Sequence, residues 1–423
     1  MLQKVEELSP TRRKLTISIP RDVIQAETDS AYNELRTTAR IPGFRPGKVP
    51  RAILVKKFGK NVDARIIEKI VPEYYVKAVR EANIEPVSYP DMNEKVELKP
   101  GQPLSFSVTV EVRPEIKEIN YEGIVLKEKT FTVEDGEVEN ALKRLQESKA
   151  LYSVSDEELK EGDMAIVDSE AFIDGKPNEE LSYSEFPLVV GSEVMPAEFS
   201  KALTGRKKGE TVTVTINFEE NHPNRTVAGR EVRFRVSITE TKKKNIPPLD
   251  DELAAEAGCG NMEELRNRIR ENISNRKKGR IELDYKREIL DELIKRHDID
   301  VPGSMVYDEI TSLVESAKEE AMKKGEPVKP DEELRKEYAL KAKENVKGVI
   351  IIEAIAKKEN IRIDEEDVGK AIEEIAARNN LRPEEVRKLY AVREGSMEAM
   401  KSRLLADKVL DFVLEKATIQ SES

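Results

Sequence analysis

The chain has 423 residues, 38% of them apolar, 37% charged and 5% aromatic, with no Trp and a formal net charge of -11. A single hydrophobic core stops growing at about 250 to 300 residues, so three domains are expected. The lean apolar content excludes one thick core and describes a helix-rich, largely solvent-facing chain. No stretch approaches the roughly 18 to 20 consecutive apolar residues of a membrane span, and the opening MLQKVEELSP lacks the apolar run of a secretory signal, so a cytosolic location is expected, with no membrane partner.

In chain order, RRKLTISIP (12 to 20) and SFSVTVEVRP (105 to 114) alternate as strands do. Between them lie amphipathic stretches at 22 to 40 and 50 to 82. They predict an α+β domain over residues 1 to 113. An extended piece and a helix over 134 to 149 follow, making 114 to 149 a linker that packs with the C-terminal region. The period then becomes two in DMAIVDSEAFIDG, FPLVVG, GETVTVTINF and REVRFRVSITETK, which predicts an antiparallel β domain over 150 to 243 with a short helix near 196 to 203. Beyond it, residues 244 to 423 read as an elongated all-α region. Asn261 and Glu264 have capping-box spacing before Leu265, Ile269 and Ile273, and Val306, Ile310, Leu313 and Ala317 mark a next helix that stops at Gly325.

Residues 1 to 113 hold 20 Lys/Arg against 15 Asp/Glu, and the remaining 310 hold 52 against 68. One end therefore suits an anionic partner and the other does not. Within the basic end, residues 36 to 60 carry eight cations and no acid, centred on IPGFRPGKVP (41 to 50). Gly43 and Gly47 permit backbone angles closed to other residues, and Pro42, Pro46 and Pro50 stiffen the segment. Arg45 and Lys48 offer charge to phosphate or carboxylate, and Phe44 offers a flat apolar ring. Two readings stand on composition: a docking tip, or a helix connection whose Phe44 folds back onto its own core.

Catalytic chemistry by side-chain constellation is poorly supported. The two histidines, His222 and His297, fall in different expected domains, and GxSxG, HExxH and the phosphate-binding GxxxxGK[ST] are missing. GRKKGET (205 to 211) is basic and glycine-flanked, and reads as a hairpin turn. Cys259 stands alone, without metal-site companions, and reads as a small, partly buried residue. No metal and no cofactor are implied.

GFRPGKVP resembles the GFRxGKxP signature of the trigger factor family, ribosome-associated bacterial chaperones, and the order of parts resembles that family along essentially the whole chain, including DIDVP (298 to 302) opening a helix. The resemblance implies an ATP-independent chaperone that docks at the ribosomal exit tunnel, touching large-subunit protein and ribosomal RNA through Gly43, Phe44, Arg45, Gly47 and Lys48. It also implies that the helical region binds nascent and unfolded polypeptides, and that the chain forms a homodimer off the ribosome. Its middle domain would be of the FKBP type, which implies peptidyl-prolyl cis/trans isomerase activity. Rotation about an X-Pro bond faces a barrier of about 18 to 20 kcal/mol, which an apolar pocket preferring the twisted amide lowers without nucleophile or base.

Laid along the chain, the FKBP pattern puts its pocket at Asp168, Phe186, Met195, Phe199, His222 and Phe234. Several positions depart from it. Ser169 replaces an aromatic, AEFS (197 to 200) replaces PGFE, Pro196 replaces an isoleucine and His222 replaces a tyrosine. These changes make a wetter pocket. In the helical region, apolar stripes such as VKGVIIIEAIA (346 to 356) exceed what a slim arm closes on itself, and are expected to line an open cradle in part. Two other functions compete: a prolyl isomerase with a large substrate-recruiting region, and a general RNA-binding protein.

Overall fold

The structure, a computed structural model, describes the chain except for residues 43, 45, 46, 93, 95, 100, 193, 194, 221–223, 393–395 and 422–423. Gly43, Arg45 and His222 thus lie outside the described residues. The chain divides into two compact units: Met1–Lys127 with Tyr285–Lys318 and Lys329–Ser423, and Glu128–Asp284 with Glu319–Val328.

In the first unit, β1 (Leu2–Ser9), β2 (Arg12–Ile19) and β3 (Leu104–Glu111) form an antiparallel sheet in the order β1-β2-β3. Pleating puts alternate residues on one face, and the register sets Leu15 opposite Val108, Ile17 opposite Phe106 and Ile19 opposite Leu104. All six are buried, in one core with residues of α1 (Arg21–Thr38) and α2 (Arg51–Glu81) such as Ile24, Leu54, Ile66 and Ile70. Each helix opens behind a proline cap, Pro20 and Pro50, whose φ of -61° and -65° suits entry into a helix. The strand β1 has no counterpart among the expected elements.

A segment ending in β4 (Val125–Lys127) is held within the same unit by polar clasps. Asn120 N–H donates to His297 Nε2 at 2.9 Å, and the buried Tyr121 donates its hydroxyl to Glu359 at 2.6 Å. That bond to a carboxylate pushes the Tyr121 pKa up to about 12.

In the second unit, helix α3 (Asp135–Ser148) precedes a curled antiparallel sheet of β5 (Leu151–Val154), β6 (Met164–Ile173), β7 (Lys176–Val189), β8 (Thr211–Asn217) and β9 (Glu231–Asn245). β9 pairs with β6 along one edge and with β8 and β5 along the other. Val167, Ala171, Val232, Val236 and Ile238 share the inner face, and the short helix α4 (Ala197–Leu203) packs Phe199 and Leu203 against it. GRKKGET is not a β-hairpin turn: it joins α4 to β8, with Glu210 accepting from Arg206 and from the Lys207 backbone N–H.

The helices α5 (Asp251–Glu256) and α6 (Met262–Arg296) follow, and Leu265 and Ile273 of α6 join Val138 and Leu142 of α3, with Ala254 and the buried Cys259, in a small core of the second unit. Asn261 Oδ1 accepts from Glu264 N–H at 2.9 Å, as the capping spacing predicts. The remaining elements are α7 (Gly303–Lys324), α8 (Asp331–Glu359), α9 (Glu365–Asn379), α10 (Pro383–Val392), α11 (Ser396–Lys416) and β10 (Thr418–Gln420), whose pairing with β4 is parallel. Most of the apolar stripe at 346–356 is packed inside the fold, and Val349 alone of its large apolar residues is exposed, at 42%. Val346, Ile350, Ile351, Ile352 and Ile355 are buried, because the stripe is apolar on more than one side, with α11 packed on the helix and α6 approaching it at Gly348. A Cβ at Gly348 would stand 3.2 Å from Leu290 of α6, so glycine there permits the close approach.

Candidate functional site

Two of the places that display aromatic side chains coincide with the expected sites. The first is the loop between α1 and α2 in the first unit. Its flanks are pinned: Ile41 and Val49 both enter the core. The Gly47 N–H donates back to the Arg36 carbonyl at 2.9 Å, and Phe44 N–H donates to Ile41 O at 3.1 Å. Gly47 has φ +82°, in the left-handed region that an L side chain resists, and a Cβ there would meet open space. Phe44 remains 38% exposed between these anchors. Phe44 is not part of the core that takes in Ile41 and Val49, which disfavours the fold-back reading of this ring.

Lys48 is exposed beside it, as are Arg36, Arg40, Lys56, Lys57 and Lys60, none ion-paired to the described residues. Arg51 differs. It pairs with Asp29 at 2.5 Å and stacks over Tyr32, so its charge is spent on joining the two helices. Hydrogen bonds from Gln25 and Arg51 hold the Asp29 carboxyl below its ordinary value.

The second place is the curled sheet of the second unit. Phe199 of α4 and Phe234 of β9 are buried together, their ring centroids 5.2 Å apart and tilted by 55°, with Met195 packed at the edge of the same core. Phe186 of β7 is 44% exposed. Asp168 stands opposite Ser237 of β9, on the other face of β6 from Val167 and Ser169. It does not join the aromatic floor. Its Oδ1 instead accepts from Glu185 N–H at 2.9 Å and from the Ser184 hydroxyl at 2.8 Å, and those bonds, the backbone one foremost, lower its pKa.

That carboxylate sits beside a distortion. Glu185 has φ +52°, a left-handed conformation costly for a residue with a side chain. Val167 pairs with Phe186 and Ser169 with Tyr183, so β7 spends three steps where β6 spends two. The extra residue is a β-bulge, and it turns Tyr183 and Phe186 to one face where strict alternation would separate them. Their ring centroids are 5.3 Å apart, and Tyr183 is 51% exposed. Sequence reasoning missed Tyr183, Ser184 and Glu185. The available signal was an aromatic pair spaced by three in SYSEFP, which does not suit a period of two.

A curled antiparallel sheet around a short helix, carried between an α/β part with a basic loop and a long helical region, defines a multidomain chain with an FKBP-like domain. Family models described as "Bacterial trigger factor protein (TF)" match residues 1–145, "FKBP-type peptidyl-prolyl cis-trans isomerase" residues 155–246, and "Bacterial trigger factor protein (TF) C-terminus" residues 261–415. The chain is 35% identical over 417 residues to the trigger factor of Thermodesulfovibrio yellowstonii, covering 99% of this chain and 98% of that one. It is 32% identical over 422 residues to that of Syntrophotalea carbinolica, covering 99% and 96%. A solved structure of a trigger factor chaperone, described for promiscuous substrate recognition in folding and assembly activities, shares the fold with TM-score 0.58 at 21% identity, over 98% of this chain and 99% of that one. The chain belongs to the trigger factor family, ribosome-associated chaperones that carry an FKBP-type domain. Among the described residues no helix is long and apolar enough to cross a membrane.

Proposed function

We propose that this chaperone docks on the large ribosomal subunit at the tunnel exit through the α1–α2 loop, and holds emerging polypeptides without ATP on exposed apolar side chains of its helices. In this division of labour residues 1–113 bind the ribosome, 114–149 link, 150–243 act on prolyl bonds and 244–423 hold substrate. The observation that carries it is Phe44, kept outside while Ile41 and Val49 on either side are buried. Full burial of such a ring contributes about 1.5 to 3 kcal/mol, and the share belonging to the 38% of Phe44 that is exposed is left for a partner. Gly47 shapes the loop, Gly43 belongs to the same docking set, and Arg45 and Lys48 meet phosphate of ribosomal RNA or carboxylate of ribosomal protein.

Binding through a handful of charges is modest and reversible, losing affinity steeply as salt rises. For clients, Tyr307 of α7, Leu340 of α8, and Leu389 and Val392 of α10 stand exposed amid charge. Scattered patches of that kind hold many sequences weakly, and the same surfaces supply a homodimer contact off the ribosome. The FKBP-type domain adds prolyl isomerisation, with Phe186, Met195, Phe199, His222 and Phe234 as its pocket and Asp168 as the brace of its rim.

The test uses the full chain. Light scattering follows aggregation of a denatured model protein without nucleotide, and sedimentation through a sucrose cushion follows ribosome binding from low to high salt. Suppressed aggregation with salt-sensitive co-sedimentation supports the proposal. Co-sedimentation that ignores salt, or aggregation that proceeds unhindered, contradicts it.

A further inference from the structure

Ser169 is 5% exposed on the inner face of β6, opposite Val236 of β9 and Tyr183 of β7. Its Oγ finds no hydrogen-bond partner among the described residues. A hydroxyl held out of water without a partner is destabilising, and such groups are few in folded proteins. The neighbouring Ser182 shows the usual outcome: its hydroxyl donates to Asn178 O at 2.7 Å and accepts from Ala171 N–H at 3.0 Å. A second unusual group stands across the strand. Tyr183 shares its face with Phe186 only because Glu185 is held in a left-handed conformation by Asp168. An unspent donor and a strained strand that keeps an aromatic at the surface thus meet at one cross-strand pair.

We infer that Ser169 and Tyr183 form a peptide subsite, in which Tyr183 with Phe186 gives the wall for a proline ring and Ser169 Oγ donates to a carbonyl of the same extended X-Pro segment. This rests on the reading that the curled sheet binds prolyl peptides. Proline has no N–H, so a peptide through it keeps carbonyl acceptors that only a donor can satisfy, and it offers a rigid ring that packs on aromatic faces. The aromatic missing at position 169 is supplied from the adjacent strand. Tyr183, half exposed, opens the hydroxyl beneath it by rotating about χ1 between staggered positions. Asp168 acts as a positioning residue, since it touches the bulge and not the peptide.

The test is fluorescence anisotropy of a fluorescein-labelled Ala-Leu-Pro-Phe peptide and its Ala-Leu-Ala-Phe counterpart on the full chain, beside urea unfolding of each variant. Tyr183→Ala is expected to weaken the proline peptide about tenfold, with Tyr183→Phe restoring it, as suits an apolar and stacking contact. Ser169→Ala is expected to raise the urea midpoint, by removing an unsatisfied buried group, while weakening the proline peptide about two- to tenfold, the worth of one neutral hydrogen bond. A merely structural Ser169 would not move the two readings in opposite senses. If Phe186→Ala weakens the peptide and Tyr183→Ala and Ser169→Ala leave it at wild-type affinity, the subsite is wrong and the prolyl pocket stands. If the chain binds both peptides equally and Phe186→Ala changes nothing, the pocket reading falls and takes the subsite with it.

Discussion

The α1–α2 loop and the β7 bulge both keep an aromatic ring in water, by opposite means. In the loop, the position that needs a left-handed backbone is Gly47, so the conformation costs little, and apolar anchors at Ile41 and Val49 hold the projection. In β7 that position is Glu185, and the Asp168 carboxylate on the neighbouring strand holds it by accepting hydrogen bonds from Glu185 N–H and the Ser184 hydroxyl. The loop is thus a relaxed display, and the bulge a strained one. Strain that persists in a fold is commonest where a geometry is used.

The comparison can be broken at its foundations first. Removing the floor under the bulge with Phe199→Ala should cost about 3 to 5 kcal/mol, and Ile41→Ala under the loop about 2 to 4, both read by urea unfolding. Because Phe199 is a buried core residue, its loss would lower peptide binding through stability as much as through contact. Phe186 is the cleaner probe of the pocket.

The two left-handed positions should respond with opposite signs. Gly47→Ala should destabilise the chain by about 1 kcal/mol, since its Cβ meets nothing and only the backbone angle is strained. Glu185→Gly should stabilise it by up to about 1 kcal/mol while loosening the Tyr183–Phe186 pair, read as weaker proline-peptide binding.

Acid should separate them as well. The Asp168 pKa is depressed, so its hold on Glu185 is present above the ordinary carboxylate value of about 3.9 and is lost as pH falls through the lower folded value. Tyrosine fluorescence and peptide anisotropy from pH 6 downward should show the bulge loosening, and Asp168→Asn should remove that step. The Gly47 hydrogen bond to a backbone carbonyl has no such titration. The smallest effects on stability belong to the displayed rings: Phe44→Ala and Phe186→Ala should each shift it by no more than about 0.5 kcal/mol, as surface changes do.

The loop was legible in the sequence because its chemistry is local. Glycine, proline and a run of cations write the backbone and charge of the loop into neighbouring letters, while the placement of Phe44 stayed open between two readings. The strands β6, β8 and β9 were legible through period two, and the FKBP-type domain through resemblance. What escaped depends on long-range pairing. β1 is a charged edge strand whose LQKVEELS does not alternate cleanly, and β7 begins ten residues before FPLVVG because its first half is polar and bulged. The bulge that unites Tyr183 with Phe186 exists only in register with β6. How much of residues 346–356 is covered was not legible because the stripe's partners, α6 and α11, lie far off in the chain. His222, Gly43 and Arg45 gain nothing from the structure, being outside its described residues.

The central claim, that Phe44 is kept out of its own fold for the ribosome, is tested most directly by Phe44→Ala in the full chain, with ribosome co-sedimentation and thermal unfolding measured on the same preparation. The expected result is ribosome binding weakened about tenfold or more, by the lost burial of one aromatic ring, at an unchanged unfolding midpoint. Wild-type co-sedimentation by the variant, or a loss of binding that merely follows a fallen midpoint, would contradict it.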